Sequence, residues 1–184
     1  MRKLVSCLFV SLDGVAESPD QWQFAFDEEM GEVLTASLEA NDAILMGAVT
    51  FTEWAGYWPT VTEGEDVGFA DWINGSPKYV VSSSLTSVDD WANSTLLRGG
   101  LVESVEALKA GEGKGISVAG SPRLVASLLQ ADLLDELVLL IHPVVAGEGR
   151  RRLFADDAPL KRLSLVSARP TSSGVIIATY RPQR

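Results

Sequence analysis

Residues 116–129 read ISVAGSPRLVASLL, and this stretch decides the fold. Its first four residues are small or apolar and predict a short buried strand, which Gly120 interrupts. Ser121 is a common residue at a helix cap, and Pro122 suits the first helical position, where no amide hydrogen is needed. From Leu124 onward, the apolar residues recur at helical spacing. The stretch therefore predicts a strand, a glycine turn and the start of a helix.

A turn of this kind can bind a phosphate group. The backbone amides at a helix start point outward, and the helix dipole adds partial positive charge there. A pyrophosphate is a natural ligand for such a site, with Arg123 beside it. The alternative is an ordinary connection, because any strand-to-helix turn in an α/β protein can carry glycine and serine.

A second stretch, AILMGAVTFTEW at residues 43–54, has the same organisation. Residues 43–46 predict an apolar strand, Gly47 predicts the turn, and Thr50 is expected to cap a short helix that runs through Trp54. Two strand–glycine–helix units in one small domain can bracket one dinucleotide from two sides. The second unit thus favours the binding interpretation of the first.

The order of these motifs resembles the dihydrofolate reductase fold, and in particular the C-terminal reductase domain of the bacterial bifunctional riboflavin biosynthesis deaminase/reductase. Further stretches match that group along nearly the whole chain: SLDG at 11–14, AGYWP at 55–59, KYVVSSS at 78–84, and DELVLLIHPVVAGEGRRRLF at 135–154, which has one extra arginine. The resemblance implies an α/β fold with a mixed, mostly parallel central sheet flanked by helices and a C-terminal antiparallel hairpin. We expect residues 1–184 to form one domain.

The same resemblance implies an oxidoreductase that transfers a hydride from NADPH or NADH to a small heterocycle, either pterin-like or pyrimidine-like. One alternative is the 5-amino-6-(5-phosphoribosylamino)uracil reductase of riboflavin biosynthesis. Another is a nucleotide-binding protein that has kept the fold and lost the chemistry. Relatives commonly form homodimers, so a homodimer is expected in each case.

The resemblance also assigns contacts to the cofactor. In the resembled group, the loop with Asp13 lies over the nicotinamide end, and the serine-rich strand end contacts the adenosine side. The two glycine turns are expected to hold the pyrophosphate because of their helix starts. The cofactor-binding candidates are Gly14, Gly47, Ala48, Thr50, Ser82, Ser83, Ser84, Gly120, Ser121, Pro122, Arg123 and Leu124. For the serines, an ordinary polar strand end is an equally good explanation.

Two positions depart from the pattern of the resembled group. Relatives often carry arginine where this chain has Ala48 and Ser83. Those arginines typically pair with the 2′-phosphate that distinguishes NADPH from NADH, and a serine hydroxyl hardly replaces such a charge-assisted pair. We therefore expect weak discrimination between the two cofactors, or a preference for NADH.

The candidate catalytic residues are Asp13 and Asp27. In the resembled fold, a carboxylate near the start of the first helix faces the substrate ring. Spacing leaves Glu28 and Glu29 open as alternatives to Asp27. Trp22 and Trp58 are candidates for an aromatic wall against a flat substrate. For Trp22, packing in the core or a dimer contact fits as well.

Composition excludes several classes of function. The net charge of −10 disfavours nucleic acids and anionic membranes, since both attract basic surfaces. One cysteine permits no internal disulfide, and the single histidine, His142, excludes a multi-histidine metal site, so no metal is expected. His142 itself is expected to be structural. No stretch reaches the roughly 20 apolar residues of a membrane helix, and a cytoplasmic protein is expected.

The remaining elements follow from periodicity. Strands are predicted at residues 3–11, 78–82, 94–97, 137–145, 160–168 and 174–180, and helices at 27–40, 69–74 and around residues 102–108.

Overall fold

The computed structural model describes residues 1–147 and 149–183. The described residues form eight β-strands and five α-helices. The strands are β1 (Leu4–Ser11), β2 (Asn41–Gly47), β3 (Lys78–Val81), β4 (Ser94–Leu97), β5 (Gly115–Val118), β6 (Glu136–His142), β7 (Leu163–Pro170) and β8 (Ile176–Pro182). The helices are α1 (Glu28–Ala40), α2 (Ala48–Ala55), α3 (Val67–Gly75), α4 (Leu101–Ala110) and α5 (Pro122–Gln130).

All eight strands join one sheet in the order β4-β3-β2-β5-β1-β6-β8-β7. Neighbouring strands from β4 to β6 run parallel, whereas β8 pairs antiparallel with both β6 and β7. The mixed, mostly parallel sheet with a C-terminal antiparallel hairpin is thus confirmed. The assignment of the whole chain to one domain stays a prediction.

Successive side chains of a strand point to opposite sides, so each strand presents apolar residues to both faces of the sheet. Helices cover both faces. Leu45 of β2 packs in the cluster formed with α4 and α5, while its neighbour Ile44 packs in the cluster formed with α2 and α3. Met30 of α1 completes a third cluster over β6 and β8, on the same face as α2 and α3. The helical face predicted for α5 is buried, and each leucine there contributes about 1.5–3 kcal/mol.

Several element boundaries differ from the predictions. Strand β6 ends at His142 and not at residue 145, because Pro143 has no amide to continue the ladder. Helix α3 begins two residues earlier than expected, at Val67. The last two strands are shifted towards the C-terminus, to Leu163–Pro170 and Ile176–Pro182.

Within residues 1–147 and 149–183, no helix is both long enough and apolar enough to cross a membrane.

Candidate functional site

The carboxyl ends of the parallel strands meet at one edge of the sheet. Pairing sets Gly47 at the end of β2 beside Val81 of β3, and Ser11 at the end of β1 beside His142 of β6. Open α/β sheets bind ligands in the crevice outside this edge. Both glycine turns predicted to hold a dinucleotide follow strands that end here, so the topology brings them together.

Direct hydrogen bonds connect the two turns. The amide of Gly47 donates to Ser121 Oγ at 2.9 Å, and that hydroxyl donates to Thr50 Oγ1 at 2.8 Å. The amide of Ser121 also donates to Thr50 Oγ1, at 3.1 Å. These bonds correct two predictions about capping. Ser121 holds the cap position of α5, but its side chain makes no cap hydrogen bond, and Thr50 lies inside α2. Each hydroxyl instead binds the other turn.

Gly120 is constrained by conformation and by space. Its φ of +49° lies in the left-handed region, which strongly favours glycine. A Cβ atom at this position would lie 3.2 Å from Thr50 Cγ2 and 3.5 Å from Trp54 Cζ2. A Cβ on Gly47, by contrast, would come no closer than 3.7 Å to Ser121 Oγ, which is an ordinary contact. The close approach of the two turns therefore depends mainly on Gly120.

The first turn of α5 follows directly. Pro122 occupies the first helical position, as predicted. The amides of Arg123 and Leu124 belong to the helix start, where backbone donors lack a helical carbonyl partner. The side chain of Leu124 is buried in the core, so only its backbone can contact a ligand, while the side chain of Arg123 is exposed.

A cleft of about 580 Å³ lies at the outer strands of the same edge. It is lined by Ala48, Val81, Ser82, Ser83, Ser84, Leu97, Arg98, Gly99 and Leu101. Ser82 Oγ accepts hydrogen bonds from the amides of Ser84 and Leu85 and so shapes the strand end. The predicted serines and Ala48 thus share one cleft.

Arg98 is a residue that sequence reasoning missed. It directly follows β4, and the pairing of Val81 with Leu97 brings it to the serine-rich end of β3. Its Nη2 donates to the carbonyl of Thr86 at 2.7 Å, and its side chain is otherwise exposed along the cleft. The available signal was a basic residue directly after a short strand. Arg98 provides a cation in the cleft where Ala48 and Ser83 provide none.

Asp13 joins the loop after β1 to the loop after β6. Its carboxylate accepts hydrogen bonds from the amides of Ala146 and Gly147, each at 3.0 Å, and from Ser11 Oγ at 2.5 Å. The Ser11 hydroxyl and these amides lower the pKa of Asp13 from 3.8 to about 2, against an opposing effect of desolvation. Gly14, with φ +83°, accepts from the amide of Leu153 through its carbonyl.

The Asp13→Asn variant tests this link between the loops after β1 and β6. Because the folded-state pKa lies below 3.8, ionised Asp13 stabilises the fold fully above that value, and the contribution is lost as pH falls towards 2. We expect Asp13→Asn to lower stability at neutral pH and to flatten its dependence on pH in this acid window. Urea unfolding at a series of pH values measures both. An unchanged acid slope would contradict the assignment.

Asp27 caps helix α1 and fastens it to the turn between β7 and β8. Its Oδ1 accepts from the amide of Met30 at 3.0 Å, and its Oδ2 accepts from the amide and hydroxyl of Ser173. Desolvation acts to raise the pKa of Asp27, but the hydrogen bonds from Ser173, Thr171 and Met30 hold it well below its usual range. Glu29 binds the neighbouring Ser172. The geometry gives Asp27 a capping role as an ionised group, which is unfavourable for donating a proton.

The two candidate tryptophans belong to different aromatic groups. Trp22 contacts His142, with ring centroids 5.7 Å apart. Trp58 packs against Phe69 at 4.6 Å and against Trp54 at 5.9 Å, and Trp54 in turn lies beside Gly120. They therefore do not form one wall. Trp22 lies towards the β1–β6 end of the edge, and Trp58 lies on the side of Trp54 and the Gly120 turn.

His142 lies at the β1–β6 end and is fully buried. Neither ring nitrogen has a hydrogen-bond partner among the residues that the structure describes. Burial lowers the pKa of His142, and the negative charge of Asp27 opposes that effect only in part. Burial therefore favours the neutral form of the imidazole. A structural histidine would be expected to use its nitrogens, and His142 does not do so with any residue in 1–147 or 149–183.

Metal ligation finds no support in the described part of the chain, where no group of three His, Cys, Asp or Glu side chains could hold an ion.

Comparison with known proteins agrees with this geometry. Residues 2–177 match the family described as the RibD C-terminal domain. The uncharacterized protein YyaP of Bacillus subtilis (strain 168) is 34% identical over 97% of this chain and 94% of its own length. A pyrimidine reductase-like protein from Corynebacterium diphtheriae is similar in structure, with a TM-score of 0.69, 19% identity, and coverage of 100% of this chain and 92% of that one.

A dihydrofolate reductase from Enterococcus faecalis, complexed with NADP(H) and RAB-propyl, shares the fold at a TM-score of 0.64 and 11% identity, covering 99% of this chain and 97% of that one. The resemblance inferred from the motifs is thus confirmed. Since the family match extends over residues 2–177 and YyaP is 34% identical, the chain belongs to the RibD C-terminal domain family.

Proposed function

We propose that this protein is a reductase that transfers a hydride from NADPH or NADH to a small pterin-like or pyrimidine-like heterocycle. The observation that carries the proposal is the hydrogen-bonded pair of turns, in which Ser121 joins Gly47 to Thr50 across the carboxyl edge of the sheet. Open α/β sheets bind ligands in the crevice outside this edge, and two helix starts there suit the phosphates of a dinucleotide.

The pyrophosphate would lie between the Gly47 and Gly120 turns. The outward amides at the start of α5 and the side chain of Arg123 would compensate its charge. The adenosine end would enter the cleft lined by Ala48, Ser82, Ser83 and Ser84. The nicotinamide end would then reach the Asp13–Gly14 loop. The cofactor supplies the reactive bond, while these residues bind it, orient it and exclude water.

Reduction of 5-amino-6-(5-phosphoribosylamino)uracil is a second candidate, favoured by the family itself. Its substrate phosphate would need free cations near the acceptor end. Arg151 pairs with Glu17 and Arg152 with Asp156, while Arg150 donates to the carbonyl of Ala146. The two ion pairs are exposed and weak, so Arg151 and Arg152 stay available to an anion.

Titration with NADH and NADPH, followed by nicotinamide fluorescence, tests the proposal. We expect at least one cofactor to bind, and we expect its oxidation to depend on an added heterocycle. Failure of both cofactors to bind would reject the reductase and favour a protein that has kept the fold without the chemistry.

Arg98→Ala tests the choice between cofactors. Arg98 faces the cleft where Ala48 and Ser83 lack charge, so we expect it to contact the 2′-phosphate and to give NADPH a modest advantage. Because the site is an exposed rim, the variant should bind NADPH about three- to tenfold more weakly, with NADH unchanged. The difference should shrink at high salt. Arg181→Ala, which breaks an exposed pair with Glu136, is the control. An equal loss for both cofactors would contradict this role.

A homodimer in the cytoplasm completes the proposal. Strand β7 is an edge of the sheet and exposes Leu165 and Val166, at 58% and 46% of their surface. An apolar edge of this kind favours pairing with another chain. Sedimentation at micromolar concentration distinguishes the dimer from a monomer of 19.8 kDa.

A further inference from the structure

His142 is surrounded by aromatic rings on the face of the sheet that carries α1. The centroids of Phe9 and Trp22 each lie 5.7 Å from the imidazole centroid, and that of Phe24 lies at 6.2 Å. Trp22 and Phe24 present their rings nearly perpendicular to the imidazole, at 79° and 82°. The histidine is 0% exposed, and its two nitrogens have no partner within the described residues.

This arrangement opposes stability. A neutral imidazole carries one donor and one acceptor, and a buried polar group without a partner destabilises the folded state. Buried polar groups are nearly always paired in proteins, so each exception needs a physical reason. A phenylalanine would fill an apolar cage at this position without the penalty. Packing alone therefore does not explain a histidine here.

The position of the cage suggests what the nitrogens bind. His142 ends β6 next to Ser11 of β1, and Asp13 joins the loops that follow these two strands. This is the end of the sheet edge that lies away from the Arg98 cleft. In the proposed reductase it is the acceptor end. The nearby carboxylate of Asp27 already accepts hydrogen bonds through both oxygens.

The cover over His142 is thin. Phe24 packs edge-on against the imidazole yet is 63% exposed, so its ring faces the histidine on one side and solvent on the other. Residues 23–27 have no regular secondary structure. Trp22 is fastened more firmly, because its Nε1 donates to the carbonyl of Glu17 at 2.9 Å. Displacement of Phe24 would open the cage while Trp22 and Phe9 stay in place.

We propose that His142 is a substrate-binding residue that reads the edge of the acceptor heterocycle once Phe24 has moved aside. The inference rests on the proposed function and names the acceptor class. A neutral imidazole can donate to a ring carbonyl or nitrogen and accept from a ring N–H, so it matches the amide-like edge of a pyrimidine or pterin. Trp22 and Phe9 provide apolar surfaces against the flat ring. Binding would supply the hydrogen-bond partners that the imidazole does not have among the described residues.

The test asks whether His142→Phe raises or lowers the thermal stability of the protein. His142→Phe removes the unpaired groups and keeps a ring, so we expect Tm to rise by about 2–4 °C. The same variant should bind pterin and 6-aminouracil about tenfold more weakly or worse, with its affinity for the dinucleotide unchanged. His142→Leu serves the same purpose if the larger ring does not fit. The matched control is Leu140→Val, two residues earlier on the same buried face, which should lower Tm without changing probe affinity.

Nuclear magnetic resonance of the imidazole nitrogens gives a direct readout, because the chain has one histidine. We expect pterin or 6-aminouracil to move the ¹⁵N resonances of wild-type His142. The inference is overturned if neither probe moves them, or if both His142 variants lose stability while keeping wild-type probe affinity. Dinucleotide titration of the same samples separates the two proposals. If NAD(P)H binds and neither probe shifts the ¹⁵N resonances of His142, only this inference is rejected. If a probe shifts these resonances and NAD(P)H does not bind, only the proposed reductase activity is rejected.

Discussion

Gly120→Val is expected to weaken dinucleotide binding by at least about 100-fold and to lower the free energy of unfolding by about 2–4 kcal/mol. A β-branched residue is strained at φ +49°. Its Cβ would also lie 3.2 Å from Thr50 Cγ2, so the two turns would have to separate. Separation breaks the bonds from Ser121 to Thr50 and from Gly47 to Ser121, which position the proposed pyrophosphate site.

Gly64→Val is the matched control. Gly64 also has a positive φ, of +95°, but nothing lies within 4 Å of a Cβ at that position. It should lose stability through backbone strain alone and keep its cofactor affinity. Thermal unfolding and fluorescence titration measure both quantities for each variant. A folded Gly120→Val protein with wild-type affinity would remove this turn from the cofactor site.

Much of the fold could be predicted because the deciding patterns are local. The strand–glycine–helix order around Gly47 and Gly120 appears in consecutive residues, and the apolar face of α5 follows from spacing alone. The caps could not be predicted in this way. Thr50 and Ser121 are 71 residues apart, and either hydroxyl is a good local cap until the sheet brings the two together.

In the candidate site too, some residues could be predicted from the local sequence and others only from the fold. The serines of the β3 end were identified from a run in the sequence, whereas Arg98 joins them only through the pairing of β3 with β4. His142 looked structural because its neighbours in sequence are apolar. Its proposed role rests on two observations that only the fold provides: rings from β1 and from the segment before α1 surround it, and its nitrogens have no partner among the described residues.

The position of Asp27 along the chain could be predicted, but its hydrogen-bond partners could not. The sequence located it at the start of the first helix, and the structure agrees. The hydrogen bonds from Ser173 come from a turn almost 150 residues further along the chain, as their separation of 146 shows. They stabilise the ionised carboxylate, and this information is absent from the local pattern.

Lys78→Met is expected to lower the free energy of unfolding by about 1–3 kcal/mol, the cost of a buried carbonyl left unpaired; the burial that lowers the pKa of Lys78 to about 8 offsets part of the loss. Lys78 is fully buried at the start of β3. Its Nζ donates to the carbonyls of Ile73 at 2.8 Å, Asn74 at 3.2 Å and Ser76 at 2.9 Å, at the end of α3. It also lies 4.8 Å from the centroid of Trp91, a cation–π contact. Methionine keeps the apolar chain and removes every one of these interactions.

The position of Lys78 makes the variant informative about function as well. It begins β3, so it lies at the opposite edge of the sheet from the serines, Arg98 and the glycine turns. Lys78→Met should therefore leave dinucleotide affinity unchanged at temperatures where the protein stays folded. Lys114→Met, which removes an exposed bond to the carbonyl of Glu39, should change stability by less than about 0.5 kcal/mol. Urea unfolding with cofactor titration decides the matter: a loss under about 1 kcal/mol would show that the end of α3 does not depend on this ammonium group. Weaker binding by folded protein would show that the site extends beyond the carboxyl edge.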